Sequence, residues 1–208
     1  MNELVFTIGH STHTLELMIA LLCQHKITAV CDVRSKPYSR MNPQFNREAF
    51  KQHLKIVGIS YVFLGEELGA RSADPSTYIR GKVQYERLAL TQPFQRGLSR
   101  IRDGMNRYRI ALMCAERDPL TCHRSLLVAR QLARLGVEVQ HIHADGRLES
   151  QAEAMERLVR QLNLPQSDMF RSHADILEDA YRIQAGHIAY AIDEASARDS
   201  VNTQVAAQ

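Results

Sequence analysis

The sequence predicts an α/β fold: an open, mostly parallel sheet of about five strands with helices on both faces, followed by a helical appendage. Two observations support this prediction. Short β-branched runs alternate with segments of helical period along residues 1–165. The strand-like runs are apolar throughout instead of alternating with polar residues, which is typical of parallel strands buried on both faces.

The first half of the chain contains three predicted strands and two predicted helices. The strands are the apolar runs at residues 4–8, 27–33 and 60–64. Thr14 and Asn46 are the predicted N-caps of the helices, and Gly58 ends the second helix. A polar loop is expected at residues 34–45.

The second half continues the alternation after an irregular stretch at residues 65–81. Predicted helices cover residues 82–90, 93–103, 120–135 and 149–162, and predicted strands cover 109–113 and 137–142. The pattern changes after Pro165, where Ser172–Asp175 resembles a capping box. Residues 166–195 are therefore predicted to form a helical appendage and residues 196–208 a disordered tail.

Composition excludes several classes of protein. The chain is 45% hydrophobic and 24% charged, as in ordinary globular proteins. No apolar run approaches the roughly 20 residues of a membrane span, and the N-terminus does not resemble a signal peptide. We therefore expect a cytosolic protein without a membrane partner, whose four cysteines are reduced. A net charge of +3 does not by itself indicate nucleic-acid binding, and composition does not indicate an oligomeric state.

Polar residues of chemical interest follow the predicted strands. They are Gly9, His10 and Ser11 after the first strand, Asp32, Arg34, Ser39 and Arg40 around the end of the second, residues 65–69 and Arg71 after the third, Cys114, Glu116, Cys122, His123 and Arg124 after the fourth, and His141 and His143 at the end of the fifth. Because the carboxyl ends of parallel strands meet at one edge of a sheet, we expect these residues to converge on a single crevice.

Two of these segments suit an anion. The Gly9–Ser11 turn precedes a predicted helix, and a helix N-terminus attracts negative charge. Arg34 and Arg40 flank Pro37, and each guanidinium is able to grip a phosphate or carboxylate bidentately. The alternatives are a plain strand-to-helix turn and a structural ion pair between one of the arginines and either Asp32 or a loop glutamate.

The segment after the fourth strand suits catalysis. Cys114 ends the strand, where Arg124 or His123 would lower the pKa of its thiol, and it is the favoured nucleophile over Cys122. Glu116 is a candidate general acid or base, with His10 or His123 assisting. The alternatives are a buried, inert thiol and a glutamate that neutralises a nearby arginine.

Neither a metal nor another cofactor is predicted. Cys114, Cys122, His123 and His10 are suitable ligand types, but their spacing contains no closed Cys-x-x-Cys pair. Adjacent helical residues such as Cys122 and His123 also point about 100° apart, which argues against a shared ion.

Three ordered motifs carry a resemblance to a known family. They are T-I-G-H-S at residues 7–11, D-V-R-x-x-P-x-S-R at 32–40 and M-C-A-E-x-x-P-x-x-C-H-R at 113–124. The chain resembles the domain of unknown function 488 family over roughly residues 4–163. This resemblance implies a cytosolic α/β protein of bacterial type, and it implies no particular activity.

The sequence favours an enzyme that acts on a small phosphate-bearing or nucleotide-like molecule. Arg34, Arg40 and Arg124 would bind the charge, while Cys114 would attack or Glu116 would transfer a proton. The alternative is a binding module for nucleotides or nucleic acid that uses the same arginines without catalysis, with exposed aromatic residues such as Tyr38 stacking on bases.

Overall fold

The described part of the chain, residues 3–165 and 170–192 of a computed structural model, contains a six-stranded sheet and a separate two-stranded hairpin. The strands are β1 (Leu4–Gly9), β2 (Ala29–Asp32), β3 (Ser60–Phe63), β4 (Tyr78–Ile79), β5 (Lys82–Val83), β6 (Ile110–Cys114), β7 (Glu138–Ile142) and β8 (Leu148–Ser150). The sheet order is β3-β2-β6-β1-β7-β8, and all neighbours are parallel except β7 and β8. The predicted α/β class is confirmed, with one strand more than expected.

Helices cover both faces of this sheet. They are α1 (Leu15–Gln24), α2 (Arg47–Ile56), α3 (Gly65–Leu68), α4 (Tyr85–Ala89), α5 (Gln92–Met105), α6 (Arg130–Arg134), α7 (Gln151–Gln161) and α8 (His173–Ile188). Within the described ranges, no helix is long and apolar enough to cross a membrane.

The sheet has a hydrophobic core on each face, because side chains along the buried strands point alternately to one face and to the other. Phe6 and Met113 face the core that contains the buried residues of α1 and α2. Val5 and Leu112, their neighbours in the chain, face the larger core on the other side of the sheet. That core contains apolar residues of α5, α6, α7 and α8. Both faces are buried because successive side chains of a strand point in opposite directions.

The topology places a crevice beside β2 and β6. These strands are neighbours, but the chain leaves β2 towards β3 at one edge and leaves β6 towards β7 on the other side. Ligands bind at the carboxyl ends of parallel strands where such a reversal occurs. Thus the loop after β2, residues 33–46, and the loop after β6, residues 115–123, face one another there.

Three predicted elements differ in the structure. Residues 82–83 do not start a helix but form β5, which pairs with β4 in a hairpin. Glu149 belongs to β8, and the following helix starts at Gln151 after the N-cap Ser150. The segment predicted as one regular helix over residues 120–135 consists of a 3₁₀ turn, an extended Cys122, a π-helical turn at Arg124–Ala129 and then α6. Short strands whose pairing is set by tertiary contacts carry little local signal.

The predicted helix of the appendage is present as α8. Its N-cap Ser172 and Asp175 form the expected capping box. Ile176 and Ala180 are buried in the larger core, and Tyr181 accepts a hydrogen bond from Gln151 of α7 at 2.7 Å. The predicted ends of the appendage at residues 166–169 and 193–195, and the predicted tail, lie outside the described residues.

Candidate functional site

The loops after β1 and β6 continue to pair beyond the sheet. The backbone N–H of His10 donates to the carbonyl of Cys114 at 2.9 Å, and that of Ser11 donates to Ala115 at 2.8 Å. Gly9 is required here, because a Cβ atom at this position would lie 1.8 Å from the carbonyl oxygen of Glu116. The close approach of the two backbones brings the first and third sequence motifs together.

Arg34 is buried and uses most of its donors within the protein. Its Nε donates to Asp32 Oδ1 at 2.9 Å, and its Nη2 donates to Asp32 Oδ2 at 2.6 Å and to the Phe45 carbonyl at 2.8 Å. Tyr61 Oη also donates to Asp32 Oδ2, at 2.7 Å. Burial works against the charge of Arg34, but Asp32 outweighs it and raises the pKa of the guanidinium. The ion pair that was one alternative for Asp32 therefore exists.

Arg124 is fully buried and donates hydrogen bonds to the loop after β6. Its Nη1 donates to the Glu116 carbonyl at 2.6 Å and its Nη2 to the Arg117 carbonyl at 3.0 Å. These bonds hold residues 116 and 117 over the end of β1. Arg34 and Arg124 thus order the loops of the site, and their role as anion ligands stays a prediction.

His10 lies between the two loops instead of at a helix N-terminus. The first helix begins only at Leu15, with Thr14 as its N-cap, so the Gly9–Ser11 turn precedes it. The imidazole stacks on Phe45 with ring centroids 4.6 Å apart, and its Nε2 lies 3.1 Å from Arg34 Nη1. Burial, followed by the positive charge of Arg34, lowers the pKa of His10 to about 4. It is therefore neutral at physiological pH.

Two thiols and an imidazole form the chemical centre of the site. Donor atoms of Cys114, Cys122 and His123 all lie within 4.8 Å of one another. Cys114 Sγ is 3.7 Å and Cys122 Sγ 4.0 Å from His123 Nδ1. On the far side of the ring, Nε2 donates to the carbonyl of Val33 at 2.9 Å, which ties the centre to the loop after β2.

The sequence argument against a shared ion at these residues was wrong in its premise. It assumed that Cys122 and His123 both lie on a regular helix. Cys122 is instead extended, with φ −134° and ψ 140°, and the helical conformation begins only at His123. The extended backbone turns the Cys122 side chain towards its neighbour, so both ligand atoms reach the same space as Cys114.

Electrostatics distinguishes the two thiols. Burial raises the pKa of Cys114, and the hydrogen bond with Cys122 raises it further. Burial also opposes ionisation of Cys122, but the hydrogen bond with Cys114 and the charge of Arg124 outweigh it and lower the pKa of Cys122. Arg124 also donates its backbone N–H to Cys122 Sγ at 3.4 Å. The structure therefore favours Cys122 over the predicted Cys114 as the thiolate.

Glu116 stands between this centre and solvent. Glu116 is an exposed residue, but its Oε2 atom lies 2.9 Å from Cys122 Sγ. The surrounding protein and the nearby Cys122 sulfur raise the pKa of its carboxyl. A carboxyl group that contacts both a thiol and a cavity is well placed for proton transfer.

Two cavities flank residues 115–116. The first, of about 270 Å³, is lined among others by Arg34, Lys36, Arg71, Cys114, Glu116 and His123. The second, of about 430 Å³, is lined among others by His10, Ser11, Lys36, Tyr38, Ser39 and Arg117. Arg34 and Glu116 border both cavities. Residues that follow β1, β2 and β6 thus meet at this end of the sheet, around two cavities and not the single crevice that was expected.

Five of the predicted site residues border neither of these two cavities. Gly9, Asp32, Cys122 and Arg124 lie behind the cavity walls, whereas Arg40 is exposed outside them. Ser39 borders the second cavity and also orders its own loop, since its N–H donates to Asn46 Oδ1 at 2.6 Å.

Several residues of the first cavity were not among the predicted site residues. Arg71 was noted as a polar residue after the third strand but was not assigned to the site, and Lys36 lies within the second motif, so position after a strand was an available signal for both. Tyr85 and Tyr190 carried no such signal. Tyr190 follows α8, and Arg71 stacks over its ring at 4.6 Å from guanidinium carbon to ring centroid. The segment after α8 thus closes one side of the cavity.

Comparison with known proteins identifies a family. The family model described as "Domain of unknown function DUF488" matches residues 14–131, more than half of the chain. Comparison with curated proteins found no match, and comparison with solved structures found none either. The matched span includes the second and third motifs and the whole Cys114–His123 centre. The chain therefore belongs to the domain of unknown function 488 family.

Proposed function

We propose that this chain is an enzyme that acts on a small anionic substrate, phosphate-bearing or nucleotide-like, in the first cavity. The observation that carries the proposal is the composition of the cavity wall. Cys114, Glu116 and His123, which carry reactive groups, line the same cavity as the cationic side chains of Lys36 and Arg71. Ligand pockets typically combine such a small number of convergent polar groups with apolar walls.

Charge recognition in this proposal comes chiefly from Lys36 and Arg71. Both are exposed at the cavity, unlike the buried Arg34 and Arg124. The Arg71 guanidinium is oriented by the Tyr190 ring below it. A guanidinium held in this way is able to bind a phosphate or carboxylate bidentately. Arg34 borders the cavity and adds positive potential without giving up its bonds to Asp32.

Chemistry in this proposal takes place at the Cys114–Glu116–His123 wall. Cys114 is the thiol that borders this cavity, whereas Cys122, the thiol with the lowered pKa, does not. Cys114 therefore attacks an electrophilic carbon or phosphorus atom in this proposal, and Glu116 takes the proton of its thiol. In that covalent form the sulfur bonds to the substrate as the bond to the leaving group breaks, and Glu116 passes the thiol proton to the leaving group. A water molecule then bonds to the substrate as the bond to sulfur breaks, and Glu116 takes a proton from the water and returns it to the sulfur. The reduced thiols suit the cytosol, where we place the enzyme.

Anion binding is tested by ligand-induced thermal stabilisation and calorimetric titration with inorganic phosphate and with nucleoside monophosphates. A ligand of the native state raises Tm. Arg71→Ala and Lys36→Ala should each weaken binding about tenfold, equivalent to roughly 1.4 kcal/mol. Arg40→Ala is the matched control, because Arg40 is exposed but borders neither cavity. No stabilisation of the wild type, or an equal loss in all three variants, would contradict the proposal.

Binding of a nucleotide or nucleic acid without catalysis is the second candidate. The observation that favours it is Tyr38, which is 68% exposed and borders the second cavity beside Lys36 and Arg117. Bases stack on aromatic faces, and the adjacent cations would follow a phosphate backbone. Binding of a short single-stranded oligonucleotide with a steep salt dependence, reduced in Tyr38→Ala, is the expected result for this candidate.

A further inference from the structure

We infer that Cys114, Cys122 and His123 form a zinc site of the catalytic, open type. This inference rests on the proposed function of the first cavity and narrows its chemistry. The two thiols become metal ligands, and a water molecule replaces Cys114 as the attacking group.

The first support is the spacing of the three donor atoms. Zinc binds thiolate sulfur at about 2.3 Å and imidazole nitrogen at about 2.0–2.1 Å, so sulfur and nitrogen in a tetrahedral site lie about 3.5 Å apart. The observed separations from His123 Nδ1 are 3.7 Å to Cys114 Sγ and 4.0 Å to Cys122 Sγ. All three donor atoms lie within 4.8 Å of one another, and two sulfurs bound to one tetrahedral zinc ion lie about 3.8 Å apart. Displacements of about 1 Å or less therefore bring all three atoms to bonding distance from one ion.

The second support is the orientation of His123. A backbone carbonyl only accepts hydrogen bonds, so the 2.9 Å contact with Val33 places a proton on Nε2. In the neutral ring this leaves the lone pair of Nδ1 directed at the two sulfurs. Metal-ligating histidines commonly donate their other N–H to a carbonyl or carboxylate, which fixes the tautomer and the ring plane.

The third support is burial and charge. Cys114, Cys122 and His123 are 3%, 2% and 8% exposed, so the site is almost free of bulk solvent. Two thiolates together with a divalent cation form a neutral unit, which is far less costly to bury than separate charges. Thiolate and imidazole ligands in a tetrahedral arrangement favour zinc over the harder divalent ions.

The first cavity leaves room for the fourth coordination position of the zinc ion. Cys114 and His123 border it, whereas Cys122 lies behind them. Three protein ligands with one position open to a cavity are typical of catalytic zinc, and a closed set of four is typical of structural zinc. Glu116 is exposed on the same wall and lies close to the ligand sulfur of Cys122 at 2.9 Å. It therefore borders the cavity and contacts a ligand of the ion, which suits a general base.

The reaction class that follows is hydrolysis of a small anionic substrate. The ion would polarise a water molecule and lower its pKa. Glu116 would take one proton from that water molecule as the water oxygen bonds to the electrophilic carbon or phosphorus atom of the substrate. The bond to the leaving group would then break, and Glu116 would pass the proton to the leaving group.

Metal content and cobalt spectroscopy test the site on the untagged full chain. Expression in zinc-supplemented medium followed by elemental analysis should give about one zinc per chain. Replacement of zinc by Co²⁺ should give intense visible bands of a tetrahedral ion and near-ultraviolet thiolate charge-transfer bands. Cys114→Ser, Cys122→Ser and His123→Ala should each reduce zinc affinity at least tenfold, while Cys23→Ser, a change at an exposed thiol away from the site, should leave affinity unchanged.

Thiol alkylation keeps the test decisive if a variant fails to fold. In wild-type protein the two ligand thiols should resist iodoacetamide until a chelator is added, and mass spectrometry locates the modified residue. Less than a tenth of an equivalent of zinc after reconstitution, or a Co²⁺ spectrum without thiolate bands, would overturn the zinc site. If Cys114 or Cys122 then reacts near neutral pH, the covalent form of the proposed function stands alone. If the chain binds zinc but no anion, the result would support the zinc site and contradict the proposed function.

Discussion

Replacement of Arg34 by methionine should cost far more stability than replacement of other loop arginines. Asp32 is fully buried, and Arg34 neutralises it through bonds of 2.9 and 2.6 Å to its two carboxylate oxygens. Arg34→Met leaves that carboxylate with the Tyr61 hydroxyl and a backbone N–H as partners. Removing one member of a buried ion pair costs about 3–5 kcal/mol, because the other charge stays buried without compensation.

Urea and thermal unfolding measure this loss. In a domain of this size each kcal/mol corresponds to about 2–4 °C in Tm, so Tm should fall by roughly 6–20 °C. The matched control is Arg40→Met, which removes an exposed arginine from the same loop. Its free energy of unfolding should change by no more than about 0.5 kcal/mol.

A double variant separates the buried charge from lost packing. Asp32→Asn in the Arg34→Met background replaces the stranded carboxylate with a neutral amide, so it should recover a large part of the loss. If Arg34→Met lost less than about 1 kcal/mol, the pairing would not be the reason why Arg34 is buried. If Asp32→Asn destabilised the Arg34→Met protein further, the cost would come from packing and not from charge.

Three further predictions concern the elements that support the site. The pKa of His141 is lowered from 6.5 to about 4, mainly by burial and also by the positive charge of Arg124. Between these two pH values the imidazole is therefore protonated in the unfolded chain and neutral in the folded chain. Stability should fall as pH decreases from 6.5 to 4, and His141→Gln should reduce that fall by roughly 3 kcal/mol in urea unfolding at the two pH values. Burial alone would raise the pKa of Glu149, but Arg157, bonded to it at 2.8 and 2.9 Å, holds it below its usual range. The stability that this pairing adds is therefore present at pH 7 and lost as pH falls through the lowered pKa. Arg157→Leu should cost about 1–3 kcal/mol at pH 7 and progressively less under acid conditions. Tyr181→Phe removes the hydroxyl that accepts a hydrogen bond from Gln151 at 2.7 Å, and it should lower the free energy of unfolding by about 1 kcal/mol. An unchanged urea midpoint would mean that this hydrogen bond does not stabilise the packing of α8.

The sequence by itself determined the fold class and the edge of the sheet at which the candidate site lies. Periodicity and caps depend on neighbours within a few residues, so the helix after Thr14 and the capping box at Ser172 were predictable from local chemistry. The convergence of the motifs followed from a general property of parallel strands. Family membership followed from the motifs and is confirmed by the matching family model.

Only the tertiary structure decided which site residues are structural and which face a cavity. Whether Arg34 meets a ligand or Asp32 depends on side-chain packing that no local pattern reports. The extended backbone of Cys122 reversed the argument against a shared ion, because ligand direction depends on φ and ψ at one residue and not on sequence spacing. Tyr190 joined the cavity through the docking of α8, a contact between segments more than a hundred residues apart. Such contacts are set by the burial of many groups at once, and this is the physical reason why the sequence predicted the position of the candidate site but not which of its residues face a cavity.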